Sequence, residues 1–117
     1  MRKLVKRLGI AVGLLGFMAV AFSSCFQFRM TDERQMSKLN KQGVQAELGF
    51  KTGLGRKIHY TLAGRDSSKP LLVIVHGSPG SSSNFLQFAQ NSQLLTSYQV
   101  LLLDRPGFGY SEFGKAE

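Results

Sequence analysis

The order of apolar runs around one glycine-rich turn restricts the fold of this chain more than any other feature. Leu71–Val75 is apolar without alternation, which predicts a parallel strand buried on both faces. The turn His76–Gly80, with the sequence His-Gly-Ser-Pro-Gly, follows it directly. Residues 81–95 have apolar side chains at helical spacing, and residues 98–103 form a second apolar run. We therefore predict a strand, one helix and a parallel strand, joined by the right-handed crossover of a βαβ unit.

The residues before this unit predict a β-hairpin. Apolar and polar side chains alternate over residues 44–48 and again over residues 57–62, and Thr52–Gly55 supplies a turn between them. Such alternation indicates two strands with one buried face. His59 lies among the polar positions of the second strand, so we expect an exposed histidine there.

The start of the chain has the layout of an export signal. Four Lys or Arg residues precede an uncharged apolar run of 15 residues at positions 8–22, and Ser-Ser-Cys follows. We predict a signal peptide over residues 1–24 and a linker with a short helix over residues 25–43. The helix is expected to begin near Thr31 and to end at Gly43, and to space the domain from the membrane.

Cys25 is the only cysteine, and its position directly after two serines resembles a bacterial lipobox, in which the cysteine thiol carries a lipid. The resemblance implies an exported lipoprotein, anchored in the membrane on the cell-envelope side. Phe22 departs from the motif, which usually has an aliphatic residue at that place. The apolar run is shorter than the roughly 20 residues of a membrane-spanning helix. Because the uncharged stretch continues to Phe28, an uncleaved anchor is one alternative, and ordinary cleaved secretion is another.

The composition argues against several classes of protein. Half of the formal net charge of +8 lies in the first seven residues, and from Cys25 onward 11 Lys or Arg residues stand against 7 Asp or Glu residues without forming a basic stripe. We therefore expect no nucleic-acid partner.

One cysteine and two histidines leave too few ligands for a zinc site. No lysine lies between Lys69 and Lys115, so a P-loop is absent. We predict no metal and no cofactor.

Two motifs together resemble the N-terminal part of the α/β-hydrolase family. Leu71–Gly80 is similar to the third strand and oxyanion turn of that family in its HGxPG form. Asp104–Ser111, with the sequence Asp-Arg-Pro-Gly-Phe-Gly-Tyr-Ser, is similar to the loop after its fourth strand. The hairpin corresponds to its first two strands, so the resemblance covers residues 44–117. It implies an α/β fold of which this chain holds the first hairpin and one βαβ unit, an incomplete sheet.

The resemblance also implies a chemical role for the turn. A strand-to-helix turn presents backbone N–H groups at the positive end of a helix, where they stabilise an oxyanion. The N–H of Ser78 is implied as one such donor. The neighbours implied as supports of the turn are His76, Gly77, Pro79 and Gly80. The two glycines permit the tight bend, the proline stiffens it, and the histidine is expected to brace it by hydrogen bonding.

No residue of the chain is expected to be the catalytic nucleophile, acid or base. His76 is not the expected base, because in the family that histidine comes late in the chain. Ser111 lacks the final glycine of the G-x-S-x-G motif, so we expect a structural serine, and Ser78 has no base beside it in the motif. Asp104 is expected to hold the Pro106–Gly109 loop.

The function implied by the resemblance belongs to a completed protein. Family members hydrolyse an ester, amide, epoxide or similar bond of a small-molecule substrate with a Ser or Asp nucleophile. The sequence predicts a truncated hydrolase-like lipoprotein that lacks its C-terminal half and is inactive alone. One alternative is a non-catalytic, surface-anchored binding module. Another is complementation by a separately encoded second half.

Overall fold

The computed structural model of the chain describes residues 1–25 and 29–114. The helices are α1 (Arg2–Cys25), α2 (Asp32–Lys41), α3 (Leu86–Ala89) and α4 (Ser92–Ser97), with a 3₁₀ turn at Ser82–Phe85. The strands are β1 (Ala46–Gly53), β2 (Arg56–Ala63), β3 (Leu71–Val75) and β4 (Gln99–Leu103).

The four strands form one open sheet in the order β1-β2-β4-β3. β1 and β2 pair in antiparallel fashion, β2 pairs antiparallel with β4, and β3 runs parallel to β4. The predicted hairpin, the parallel pair and the α/β class are therefore confirmed. Because Tyr60 pairs with Leu103, the middle of β2 lies beside the end of β4, and the first residues of β2 extend beyond that end.

The core lies on one face of this sheet. Ala63, Val100 and Leu102 point from the strands into a cluster with apolar side chains of α2 and α3, and all three are fully buried. The alternate residues of β3, Leu71, Val73 and Val75, lie on the other face and remain about half exposed. The prediction that β3 is buried on both faces is therefore wrong for the described residues, because their helices pack on only one side of the sheet.

The helix α2 is part of the folded domain. The side chain of Thr31 caps it by accepting a hydrogen bond from the Arg34 N–H, and the chain turns away at Gly43 with a φ of 69°. Leu39 is fully buried in the core, and Gln35 is 1% exposed. The expected spacer helix thus exists, but it packs against the sheet because its thin apolar stripe finds a matching surface there.

The connection between β3 and β4 differs from the single helix predicted over residues 81–95. It consists of the 3₁₀ turn, α3 and α4, with a break at Gln90–Asn91. The side chain of Asn91 accepts a hydrogen bond from the Leu94 N–H and so begins a new helix. An asparagine that hydrogen-bonds to nearby backbone favours a cap over a continuous helix.

The predicted signal peptide coincides with α1. The large apolar side chains of α1 that the structure describes are exposed, from 57% for Met18 to 74% for Phe17. The side chain of Cys25, the predicted lipidation site, lies outside the described part of the chain. Of the helices in residues 1–25 and 29–114, none combines the length and the apolar character needed to cross a membrane.

Candidate oxyanion site

The glycine-rich turn lies at the carboxyl end of β3. His76 and Gly80 are buried at its two ends, whereas Gly77, Ser78 and Pro79 are exposed between them. The Ser78–Pro79 peptide bond is cis. A Cβ atom at Gly80 would lie 3.1 Å from the Asn84 side chain, so the turn is too tight there for a larger residue without movement.

His76 joins the turn to the loop after β4. Its Nδ1 lies 2.6 Å from the Gly77 carbonyl oxygen, and its Nε2 lies 3.1 Å from the Arg105 backbone nitrogen. Because a carbonyl only accepts and an amide only donates, Nδ1 carries the proton and Nε2 accepts. The ring also packs edge-on against Phe108, with 5.5 Å between centroids. One side chain therefore holds together the two motifs that the sequence separates.

The backbone N–H of Ser78 has no hydrogen-bond acceptor among residues 1–25 and 29–114. Ser78 is exposed, so this donor faces outward from a turn whose flanks are held in place. Donors fixed in this way stabilise negative charge that develops on a substrate oxygen. The structure thus places the sequence-predicted donor and its four supports in one turn.

Asp104 fixes the loop that faces the turn. It is 1% exposed, and its carboxylate accepts hydrogen bonds from the N–H groups of Ser82 at 2.6 Å and Tyr110 at 3.0 Å. Burial by itself raises the pKa of Asp104, but the hydrogen bonds from His59 and these two amides outweigh it and lower the pKa to about 2. A side chain at Gly109 would collide with the carboxylate, and φ is 55° there, so only glycine fits.

His59 is fully buried, and the expectation of an exposed histidine is wrong. Its Nδ1 lies 2.9 Å from Oδ2 of Asp104, and its Nε2 lies 2.9 Å from Oδ1 of Asp32. A neutral imidazole has one N–H and donates a hydrogen bond to one of these carboxylates, whereas an imidazolium donates to both. Burial lowers the pKa of His59, but the hydrogen bonds and charges of the two carboxylates outweigh it, so the pKa is raised.

The polar pattern of β2 was misleading because α2 and the end of β4 cover that side of the strand. Asp32 comes from α2 and Asp104 from the end of β4, so His59 meets partners that lie 27 and 45 residues away. Nothing in the local sequence around His59 signals this meeting. The candidate site therefore rests on an Asp-His-Asp cluster that the sequence pattern does not predict, in which His59 and Asp104 are buried and Asp32 is partly exposed.

Ser111 adds a hydroxyl to the buried part of this cluster. It is 8% exposed, accepts a hydrogen bond from the His59 N–H at 2.8 Å and donates one to the Asp104 carbonyl at 2.7 Å. Its hydroxyl therefore ties β2 to the loop after β4. Neither partner is a base that would activate it as a nucleophile.

A further contact comes from the segment before α2. Arg29 donates to the Gly109 carbonyl at 2.6 Å, and its guanidinium lies 4.3 Å from the centre of the Tyr110 ring. The Met30 N–H donates to Ser83 Oγ at 3.0 Å. Arg29 and Met30 thus hold the start of this described segment against the residues beside the oxyanion turn. In the described part of the chain, His, Cys, Asp and Glu side chains form no group of three or more suited to a metal ion.

The model of the alpha/beta hydrolase fold family matches residues 70–117, which contain both motifs. Over these residues the chain is similar to the α/β-hydrolase fold family. Its sheet order and the hairpin before the parallel pair agree with this similarity.

Proteins similar to this chain include a peptidase, a phospholipase A and a candidate lipase. The proline iminopeptidase of Lactobacillus acidophilus is 33% identical over 58 residues, which are 50% of this chain and 20% of that protein. A membrane phospholipase A, a bacterial virulence factor, has a solved structure with 27% identity and a TM-score of 0.56, and the match covers 92% of this chain and 31% of that one. A candidate lipase from Acinetobacter baumannii AYE has 29% identity and a TM-score of 0.54, over 68% and 25% of the two chains. This chain spans about a fifth of the length of the curated relatives that it matches.

Proposed function

We propose that this chain supplies the oxyanion turn of an exported, membrane-attached hydrolase that cleaves an ester bond of a small-molecule substrate. The observation that carries the proposal is the unpaired, exposed N–H of Ser78 on a turn held by His76. Such a donor binds the oxyanion of the tetrahedral intermediate more strongly than the ground-state carbonyl.

The similarity to a membrane phospholipase A favours an ester over an amide. That match covers 92% of this chain, whereas the match to the proline iminopeptidase covers 50%. In this proposal, none of the described residues is the nucleophile, acid or base. In α/β-hydrolases these three groups follow the oxyanion turn in chain order.

The proposed membrane attachment uses the N-terminal segment, with a lipid on the Cys25 thiol. The basic start, the apolar run and the serines before Cys25 support it. A Cys25→Ser variant is then expected to lose incorporation of labelled fatty acid and to change its partition between membrane and soluble fractions. Unchanged labelling and partition would contradict the lipid anchor.

The experiment on the reaction begins with the coding DNA, read in all frames beyond codon 117. We expect a G-x-S-x-G or G-x-D-x-G motif, then an Asp and a late His. The polypeptide that carries these residues is expected to hydrolyse p-nitrophenyl esters faster than the corresponding anilides. A stop codon without these motifs would instead favour the non-catalytic binding module.

In that polypeptide, Ser78→Pro removes the proposed donor N–H and is expected to lower kcat by about a hundredfold to a thousandfold. Ser67→Pro is the matched control, because Ser67 lies at the second position of a turn closed by the Lys69 N–H and the Asp66 carbonyl. Proline is favoured at that position. Equal kcat values for the two variants would overturn the role of Ser78.

A further inference from the structure

We propose that the tip of the β-hairpin is a second membrane contact. The hairpin-tip surface consists of Phe50, Lys51, Leu54 and Lys57, which are all exposed. The inferred partner is an anionic lipid bilayer. This inference rests on the membrane attachment proposed above, and it adds a contact made by the folded domain itself.

Leu54 is an unexpected residue for its position. It is 88% exposed, and its φ of 48° lies in the left-handed region. Apolar exposure and a left-handed backbone are both unfavourable for leucine, and asparagine or glycine would suit the turn better. A large apolar side chain at the outermost point of a hairpin is favourable when it enters a non-aqueous phase.

The charges around Leu54 fit an anionic bilayer. Lys51 and Lys57 flank the turn, and Arg56 begins β2. The nearest acid along the paired backbone is Glu112, whose N–H donates to the Lys57 carbonyl at 2.9 Å. Cations therefore outnumber acids at this tip. Lysines near an anionic membrane each contribute to binding while an apolar group is buried at the acyl boundary.

A continuous line of stacked groups joins this surface to the segment that follows the anchor. The Lys57 ammonium lies 4.7 Å from the centre of the Phe50 ring, which packs against His59 at 5.1 Å. His59 packs against Tyr110 at 5.2 Å, and Arg29 covers Tyr110 at 4.3 Å. The hairpin and Arg29 thus belong to the same end of the sheet.

This end of the sheet stays near the attachment point because only a short segment of chain separates Cys25 from Arg29. Arg29 is four residues after Cys25, and four residues span at most about 14 Å when fully extended. A lipid on Cys25, or an anchor that ends there, therefore keeps the Arg29 contact close to the bilayer. The turn at Asp66–Lys69 lies at the opposite end of the sheet, because β2 runs away from the hairpin tip before it.

Docking would also bring the oxyanion turn to the lipid surface. The end of β4 lies beside the middle of β2, where the Asp104 N–H donates to the His59 carbonyl at 3.0 Å, and the hairpin extends beyond that end. His76 links that loop to the turn. The docking surface and the Ser78 N–H therefore share one end of the sheet, which suits an ester substrate that resides in the bilayer.

The chain contains no tryptophan, so a single introduced tryptophan reports its own surroundings. Leu54→Trp and the matched control Ser67→Trp are made in the full chain and reconstituted into vesicles of phosphatidylcholine and phosphatidylglycerol. Brominated lipids are expected to quench the tryptophan at position 54, with a blue shift of its emission, and to leave the one at position 67 unquenched. Circular dichroism of both variants checks that they fold alike.

Three further substitutions test the charges and the tip separately. Lys51→Gln and Lys57→Gln, each added to Leu54→Trp, are expected to lower the docking equilibrium about fivefold, the factor for one lysine at an anionic surface. Leu54→Asn suits the left-handed backbone. In a Phe50→Trp background it is expected to reduce quenching at position 50.

The outcomes separate the two proposals. If the chain enters the vesicles but positions 54 and 67 are quenched equally, or neither is quenched, the docking surface is overturned and the attachment stands. If the chain does not partition into vesicles, the attachment fails, and the docking inference fails with it. Quenching that is equal in vesicles with and without phosphatidylglycerol would overturn the anionic partner.

Discussion

The regions around His59 and His76 lie at the same end of the sheet, and both histidines are buried, yet their partners differ in charge. His76 meets a carbonyl and an amide, whereas His59 meets the carboxylates of Asp32 and Asp104. The polar groups of the His59 region form hydrogen bonds within the domain. The His76 region leaves the Ser78 N–H available. The role of a buried histidine therefore depends on the charged and polar groups of the elements that pack against it.

The largest expected loss of stability comes from a substitution that disrupts the His59 region. Asp104→Asn removes the charge that three donors share and places an N–H₂ group among them. We expect the free energy of unfolding to fall by roughly 3 to 5 kcal/mol, as for a broken buried ion pair. The midpoint of urea denaturation measures this. The control Asp66→Asn changes an exposed carboxylate, and its midpoint should stay close to that of the native chain. Equal midpoints for the two variants would contradict the central role of Asp104.

The next effect is a dependence of stability on pH that belongs to the same region. The folded pKa of Asp104, about 2, lies below its ordinary value of 3.8. Its contribution, about 2 kcal/mol, is therefore complete above pH 3.8 and is lost as the pH falls through 2. The folded pKa of His59 is raised above 6.5, so its contribution is complete below pH 6.5 and is lost as the pH rises through the folded value.

Urea denaturation over a series of pH values measures both arms of this profile. His59→Gln is expected to flatten the alkaline arm and to reduce the acid arm without abolishing it, because Asp104 loses the hydrogen bond from His59 but still accepts from two backbone amides. If the variant lost stability above pH 6.5 as steeply as the native chain, His59 would not be the titrating group.

A smaller effect is expected in the His76 region. His76→Phe keeps the ring against Phe108 but leaves the Gly77 carbonyl and the Arg105 N–H without their partner. We expect a loss of roughly 1 to 2 kcal/mol, because these groups are near solvent and water replaces part of the lost bonding. His76→Gln can retain one of the two bonds and should lose less. A loss that matched that of Asp104→Asn would remove the distinction between the two regions.

The smallest expected effect is a gain in stability at the hairpin tip. Leu54→Asn relieves the left-handed conformation of Leu54 and is expected to stabilise the chain by roughly 0.5 to 1 kcal/mol. Thr52→Asn changes a neighbour that lacks a positive φ and is the matched control. A loss of stability in Leu54→Asn would mean that the leucine packs within the domain.

Prediction from the sequence succeeded where the pattern is local. The turn His76–Gly80 follows a strand, residues 98–103 contain a strand, and the cap at Thr31 lies where its residue type favours it. It failed where an outcome depends on packing. The exposed face of β3 depends on which helices cover the sheet, and the break at Asn91 depends on a competing side-chain hydrogen bond.

The sequence by itself determined the strand order along the chain, the glycine-rich turn and the likeness to a hydrolase family, because periodicity and turn chemistry act over a few residues. Only the tertiary structure decided that His59 is buried between two carboxylates and that α2 belongs to the core. Asp32, His59 and Asp104 are brought together by strand register and helix packing. These depend on the summed burial of distant apolar residues, which no short segment encodes.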